Sequence, residues 1–217
     1  MPADDYAIVL DYLPEGHSDI GSHGFQKEKR VAQVLGDEYY SLLEIALREG
    51  QSATQAEKIY IGHATREKVH HIIRRLNYDD LTATGKVELE YALDNLVKQQ
   101  TPKFVRFFNE CGSLTTRQHR LELLPGIGKK HMWDILKIRS QKKFEGFEDI
   151  AERVKLLPDI HKMIIKRIIT ELKGRDDKGE YVKYKIFVGV PLPYPEGQEP
   201  KKEEPPAFVP KDEEKEA

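Results

Sequence analysis

The chain has 217 residues and a formal net charge of −2, a length sufficient for one large domain or two small ones with a buried core. No segment reaches the about 20 consecutive apolar residues that span a membrane. The first six residues also lack the basic and then apolar pattern of a secretory leader. We therefore expect a cytoplasmic protein without a membrane partner. The single cysteine, Cys111, excludes an internal disulfide and a zinc site of paired thiolates.

Charge is distributed unevenly along the chain. Residues 1–100 contain 11 Lys and Arg against 17 Asp and Glu, residues 101–195 contain 20 against 12, and residues 196–217 contain 4 against 8. A basic region is thus flanked by acidic ones. The basic region is the candidate for binding a nucleic acid, because phosphates attract clustered Lys and Arg.

The N-terminal residues 1–64 are typical of a small β-barrel, as in OB-like folds. Short β-branched and aromatic segments separated by turn residues predict strands at Tyr6–Leu13, 30–36, 39–47 and 58–62. The barrel carries tyrosines that either stack on single-stranded nucleic acid or pack within the sheet. These are Tyr6, Tyr12, Tyr39, Tyr40 and Tyr60.

From Thr65 the apolar spacing becomes helical, which predicts a helical region over 65–180 and an α+β fold. The helices are expected at 65–76, at 87–97, from Thr101-Pro102 to Cys111, at 115–123, at 129–141 and at 163–172. The alternating segment 183–190 predicts a strand that returns to complete the barrel within 181–195. The composition of residues 196–217, rich in Pro, Lys and Glu, predicts a disordered acidic tail.

The segment Leu124-Pro125-Gly126-Ile127-Gly128-Lys129-Lys130 joins two of these predicted helices. Its glycines permit close approach of a ligand to the main chain. The second helix then begins with unpaired N–H groups and a positive dipole end, which together bind phosphate oxygens. Such a site recognises phosphates, so binding is expected to be independent of base sequence.

A second copy lies 33 residues later, Leu157-Pro158-Asp159-Ile160-His161-Lys162, with both glycines replaced. Asp159 places a carboxylate where a phosphate would approach, so we interpret this second hairpin as mainly structural. The residues predicted to contact nucleic acid are Gly126, Ile127, Gly128, Lys129, Lys130, Arg117, Arg120, Lys137, Lys162 and Lys166, with Arg139, Lys142, Lys143 and Arg167 nearby. Trp133 is assigned to the core, packed against the preceding helix.

Residues 117–141 resemble the helix-hairpin-helix motif, a hairpin that binds nucleic acids without sequence preference. The opening strand Tyr6–Leu13, the 124–129 hairpin and Tyr184-Lys185-Ile186-Phe187 are together similar to an archaeal family, domain-of-unknown-function family 655, over residues 4–193. The resemblance implies an OB-like barrel joined to paired hairpins, RNA as the target, and ribosomal or RNA polymerase components as possible partners.

Other functions stay open at this point. The same hairpins serve DNA repair and recombination proteins, and an acidic barrel can act as a scaffold for a basic protein. No catalytic or cofactor motif is present in the sequence, so we expect no reaction and no cofactor, although a nuclease whose carboxylates converge only in the fold is an alternative. The histidines match no zinc signature, and we expect them at the surface. They are His17, His23, His63, His70 and His71.

Overall fold

The N-terminal part of the chain forms a curled five-stranded antiparallel half-barrel, and the helices follow it. The computed structural model describes residues 3–16, 29–192 and 194, so His17, His23 and the predicted tail at 196–217 lie outside the described residues. The strands are β1 (Tyr6–Leu13), β2 (Val31–Gly36), β3 (Leu42–Leu47), β4 (Lys58–Tyr60) and β5 (Val69–Arg75). Their order across the sheet is β4-β1-β2-β3-β5, and every pair is antiparallel.

Both faces of β2 and β3 are buried. Val9, Val34 and Ile45 belong to an apolar cluster within the half-barrel, whereas Leu10 and Leu35 belong to a second cluster shared with the helices. All residues of β2 and β3 are consequently buried. The surface of strands 2 and 3, which OB barrels use for binding, is therefore covered by protein here.

The predicted helix at 65–76 is wrong, because residues 69–75 form β5 and pair with β3. The register moves from Arg74 opposite Glu44 to Ile72 opposite Ile45, which leaves Ile73 as an extra residue in a bulge. A second bulge leaves out His70 in the same way. Bulges interrupt the alternation of side chains, so the sequence lacks the period of two that identifies a strand.

The helices are α1 (Ala83–Gln99), α2 (Thr101–Glu110), α3 (Lys129–Gln141), α4 (Phe147–Arg153) and α5 (Ile160–Lys173). The helix predicted at 115–123 is only a short 3-10 helix, Arg120–Leu123. The Thr115 hydroxyl accepts hydrogen bonds from the N–H groups of Arg117 and Gln118, at 3.2 and 3.1 Å. Such local bonds compete with a helix and favour the turn that is observed. None of the helices in the described ranges is long and apolar enough to cross a membrane.

The joint between α2 and the half-barrel is polar. Lys103 is 1% exposed, and its ammonium group donates to the carbonyl of Glu38 at 2.7 Å. Burial lowers the pKa of Lys103 to about 8. Next to it, the buried Tyr40 hydroxyl donates to the Gln100 amide oxygen.

The single cysteine, Cys111, is buried as expected, and burial raises the pKa of its thiol to about 11.

The predicted C-terminal strand is also wrong, since residues 183–190 contain no strand. Glu171 of α5 is fully buried and accepts hydrogen bonds from the backbone N–H groups of Ile186, Phe187 and Val188, at 2.9, 3.0 and 2.9 Å. Because one carboxylate binds these three consecutive N–H groups, they cannot form the hydrogen bonds that would pair this segment with a strand of the sheet. The segment nevertheless reaches the half-barrel, where the N–H of Gly189 donates to the Tyr39 carbonyl at 2.9 Å.

Replacing this carboxylate is expected to destabilise the protein. Glu171→Ala removes the acceptor of the N–H groups of Ile186, Phe187 and Val188 and leaves the buried Arg167 without its carboxylate partner, and such losses cost about 3–5 kcal/mol. The free energy of unfolding, measured by urea denaturation, is expected to fall by this amount. Glu90→Ala, at an exposed position in the middle of α1, serves as the control and is expected to change it by less than about 0.5 kcal/mol. Equal effects of the two substitutions would contradict this account.

Candidate nucleic-acid interface

The loop before α3, residues 124–128, has buried apolar side chains on its inner side and exposed residues on its outer side. Leu124 and Ile127 are buried, and the N–H of Ile127 donates to the Leu124 carbonyl at 3.1 Å. Gly128, Lys129 and Lys130 are exposed. Gly128 is the N-cap of α3 and supplies no capping side chain, so no side chain in the described part of the chain accepts a capping hydrogen bond from the first N–H groups of the helix.

The two glycines of the loop have different roles. Gly126 has φ +85°, and a Cβ there would lie 2.7 Å from Cγ of Pro158. Both the left-handed backbone and the packing of the two hairpins thus require glycine. Gly128 has an ordinary extended backbone, φ −90° and ψ −179°, and a Cβ there would meet no atom of the described chain. Its surroundings are open space.

The second hairpin differs at the corresponding helix end. The Asp159 carboxylate accepts a hydrogen bond from the N–H of Lys162 at 3.0 Å and so caps α5. Beside it, Nε2 of His161 lies 3.1 Å from the Asp94 carbonyl, which ties this hairpin to α1. The N-terminus of α5 is therefore occupied by the protein itself, whereas that of α3 is open.

The predicted cations fall into two groups. Lys129, Lys130 and Lys137 on α3 and Lys162 on α5 are exposed, and the described part of the chain provides no ion pair for their side chains. Four other predicted cations are engaged within the protein. Lys166 pairs with Asp177 at 2.7 Å, Lys142 with Glu145 at 2.8 Å and Lys143 with Glu110 at 3.7 Å, and Arg139 donates to the carbonyls of Phe108 and Cys111 at 2.8 and 2.9 Å.

Arg167 is not available for binding. It is buried, and its guanidinium donates to Glu171 at 2.7 Å and to the carbonyl of Leu123, just before the loop, at 3.1 Å. Arg167 therefore supports the loop from within the protein.

Two predicted arginines lie before the loop. Arg117 is exposed in the turn that precedes the 3-10 helix. Arg120 is exposed and lines a groove of about 260 Å³ together with Lys103, Arg106 and Lys185. The loop itself lines a different groove, of about 590 Å³, between Gly126, Gly128 and the 176–178 turn. Arg120 thus lines a groove that does not include Gly126 or Gly128.

Trp133 is not in the core as predicted, because it is 65% exposed. The helix against which it was expected to pack is reduced to the 3-10 helix, and no partner covers the ring among the described residues. On α3, Trp133 lies one turn from Lys129 and one turn from Lys137. This residue is the part of the surface that the sequence interpretation missed.

The tyrosines and histidines of the half-barrel do not form an evident site. Tyr40 is fully buried, and the rings of Tyr6 and Tyr60 pack edge to face with centroids 5.2 Å apart. His70 and His71 lie side by side on β5, with their Nδ1 atoms 2.7 Å apart. Within residues 3–16, 29–192 and 194, no three His, Cys, Asp or Glu side chains are grouped to hold a metal ion.

A family model, a relative and a solved structure are similar to this chain over most of its length. Residues 3–189 match the model of a family described as protein of unknown function DUF655. An uncharacterized protein of Methanocaldococcus jannaschii is 43% identical over 185 residues, which cover 85% of this chain and 80% of the relative. A crystal structure of a DUF655 protein from Archaeoglobus fulgidus is 45% identical, with a TM-score of 0.72 over 85% of this chain and 99% of the other.

The different roles of the two glycines can be tested by protein stability. Gly126→Ala is expected to lower the free energy of unfolding by at least about 1–2 kcal/mol, because a Cβ is disfavoured at positive φ and meets Pro158. Gly128→Ser is expected to leave it unchanged or slightly raised, since serine is a good N-cap and the space is open. Thermal unfolding followed by circular dichroism measures both. A larger loss for Gly128→Ser would show that this glycine is needed for folding.

Proposed function

The chain belongs to the DUF655 family, and we propose that it binds nucleic acid without sequence preference, holding the phosphate backbone at the N-terminus of α3. The open N-terminus carries this proposal. Gly128 is exposed, no side chain caps the helix, and Lys129 and Lys130 project beside it without ion pairs among the described residues. Backbone N–H groups, a positive dipole end and adjacent ammonium groups are the features that bind a phosphate.

The contrast with α5 supports the proposal. A helix end in water gains stability from a capping side chain, and α5 has one in Asp159. In α3 the space for such a side chain exists at Gly128 and is left empty. A glycine at this point gives up some stability and keeps the amides accessible, which favours a ligand site over a simple turn.

We interpret the pair of hairpins, with Gly126 packed on Pro158, as a helix-hairpin-helix unit and the half-barrel as OB-like. Binding is assigned to the helical unit, since β2 and β3 present no exposed residue. We propose RNA as the ligand, following the family resemblance, and ribonucleoprotein or transcription components as its setting. Phosphates occur in both nucleic acids, so a DNA ligand is the other outcome of the test.

The proposal predicts opposite effects of one substitution on stability and on binding. Gly128→Asp gives α3 the cap that α5 has, which is expected to raise the free energy of unfolding by roughly a few tenths to 1 kcal/mol. The same carboxylate occupies the amides and repels phosphate. Affinity for a structured RNA and for the matching DNA, measured by fluorescence anisotropy, is therefore expected to fall at least tenfold.

Charge reversal gives a second measure of the same site. Lys129→Glu/Lys130→Glu is expected to reduce the slope of log affinity against log salt by about 2, one for each phosphate that these lysines neutralise in the wild-type protein. Lys142→Glu/Lys143→Glu has the same change in charge on residues that already pair with acids, and serves as the control. If both pairs lower affinity equally, overall charge explains binding and the site is not at the loop. If the wild-type protein binds neither nucleic acid at low salt, the proposed function is wrong.

A further inference from the structure

The exposure of Trp133 calls for an explanation, because leaving an indole ring in water forgoes the favourable free energy of burying it. The ring is 65% exposed, although Met132 and Ile135 on the same helix are buried. With 100° between successive residues, Trp133 lies at the centre of the exposed face of α3. Lys129 and Lys137 lie one turn away on either side, and Lys130 lies beside them on the same face.

The surroundings of the ring distinguish two kinds of partner. The cores of protein–protein interfaces contain aromatic residues but are depleted in lysine. Here, three exposed lysines without described ion pairs surround a single aromatic ring, and Asp134 is the one acidic residue of α3. An aromatic ring within a basic surface is the arrangement by which proteins bind single-stranded nucleic acid, where bases stack and phosphates pair with cations.

We infer that Trp133 stacks on an unpaired base next to the phosphate held at Gly128, so that the site selects nucleic acid with accessible bases. This inference rests on the proposed function and names its ligand class: a single strand, loop or overhang rather than a fully paired duplex. Trp133 lies four residues beyond Lys129, about 6 Å along the helix axis. Successive phosphates of one strand are roughly 3.4 Å apart along the axis of a stacked duplex and further apart in a stretched strand, so a base one or two nucleotides from the held phosphate can reach the ring.

Trp133 is the only tryptophan of the chain, so its fluorescence reports directly on this contact. The full chain is titrated with oligouridylate, with oligodeoxythymidylate, and with a DNA duplex whose two ends are closed by covalent loops of non-nucleotide linker. Stacking is expected to quench the fluorescence with either single strand and to leave it nearly unchanged with the closed duplex. The single strands are also expected to bind more tightly than the closed duplex.

Substitution gives the second readout. Trp133→Ala is expected to weaken single-strand binding by about 5- to 150-fold, the range for one base stacked on an aromatic ring, and to leave closed-duplex binding unchanged. Trp133→Phe is expected to restore most of the lost affinity. Tyr91→Ala removes an aromatic ring of similar exposure, 63%, from α1 and is the matched control, expected to have no effect.

The outcomes separate this inference from the proposed function. One outcome would support the phosphate site and contradict the stacking. In it, the wild-type protein binds without quenching of its fluorescence, Lys129→Glu/Lys130→Glu abolishes binding, and Trp133→Ala retains full affinity. If no nucleic acid binds, both fail. If Trp133→Ala weakens all ligands equally, the ring contributes general contact and the selection for unpaired bases is overturned.

Discussion

The buried ion pair between Arg167 and Glu171 holds three parts of the molecule in one arrangement. Its atoms are almost entirely removed from water, with side-chain exposures of 10% and 0%. A buried pair contributes to structure only when its remaining donors and acceptors are satisfied. Here Glu171 takes three backbone N–H groups of the 186–188 segment, and Arg167 donates to the carbonyls of Leu123 and Tyr184. The pair therefore joins α5, the C-terminal segment and the base of the loop before α3.

This arrangement explains how the loop can be open and yet ordered. Leu124 and Ile127 of the loop are buried, and Arg167 donates a hydrogen bond to the carbonyl just before it. On one side of the loop, Pro158 packs closely against Gly126. None of these contacts involves the first N–H groups of α3. The second hairpin supplies the supporting contacts and closes its own helix end with Asp159. The two loops therefore differ in what they do at the helix that follows. The loop before α5 packs against its neighbours and caps its helix, whereas the loop before α3 leaves its helix without a capping side chain.

The sequence predicts those helices and strands that are marked by residues within or directly beside the element itself. The bounds of α3 follow from the glycine loop that precedes it, and α2 follows from Thr101-Pro102. The sequence does not predict β5, because two bulges remove its alternation, or the irregular segment at 186–188, because its partner is a carboxylate 15 to 17 residues earlier on α5. At the site, the open loop follows from the motif. The division of the cations into paired and unpaired ones does not, since it depends on acids distant in sequence such as Glu110.

Trp133 shows that the place of a residue after a loop does not decide which face of the helix it occupies. The sequence interpretation assigns Trp133 to the core from its place five residues after Gly128. Helical spacing of about 100° per residue instead puts it about 100° from Met132 and about 160° from Ile135, the buried residues of α3. The segment before the loop forms only a short 3-10 helix, and Trp133 is left largely exposed on the far side of α3 from Ile135. An aromatic ring, lysines without ion pairs in the described ranges and a helix N-terminus without a capping side chain lie on α3 together, and a ligand with phosphates and flat bases has the chemistry to contact all three.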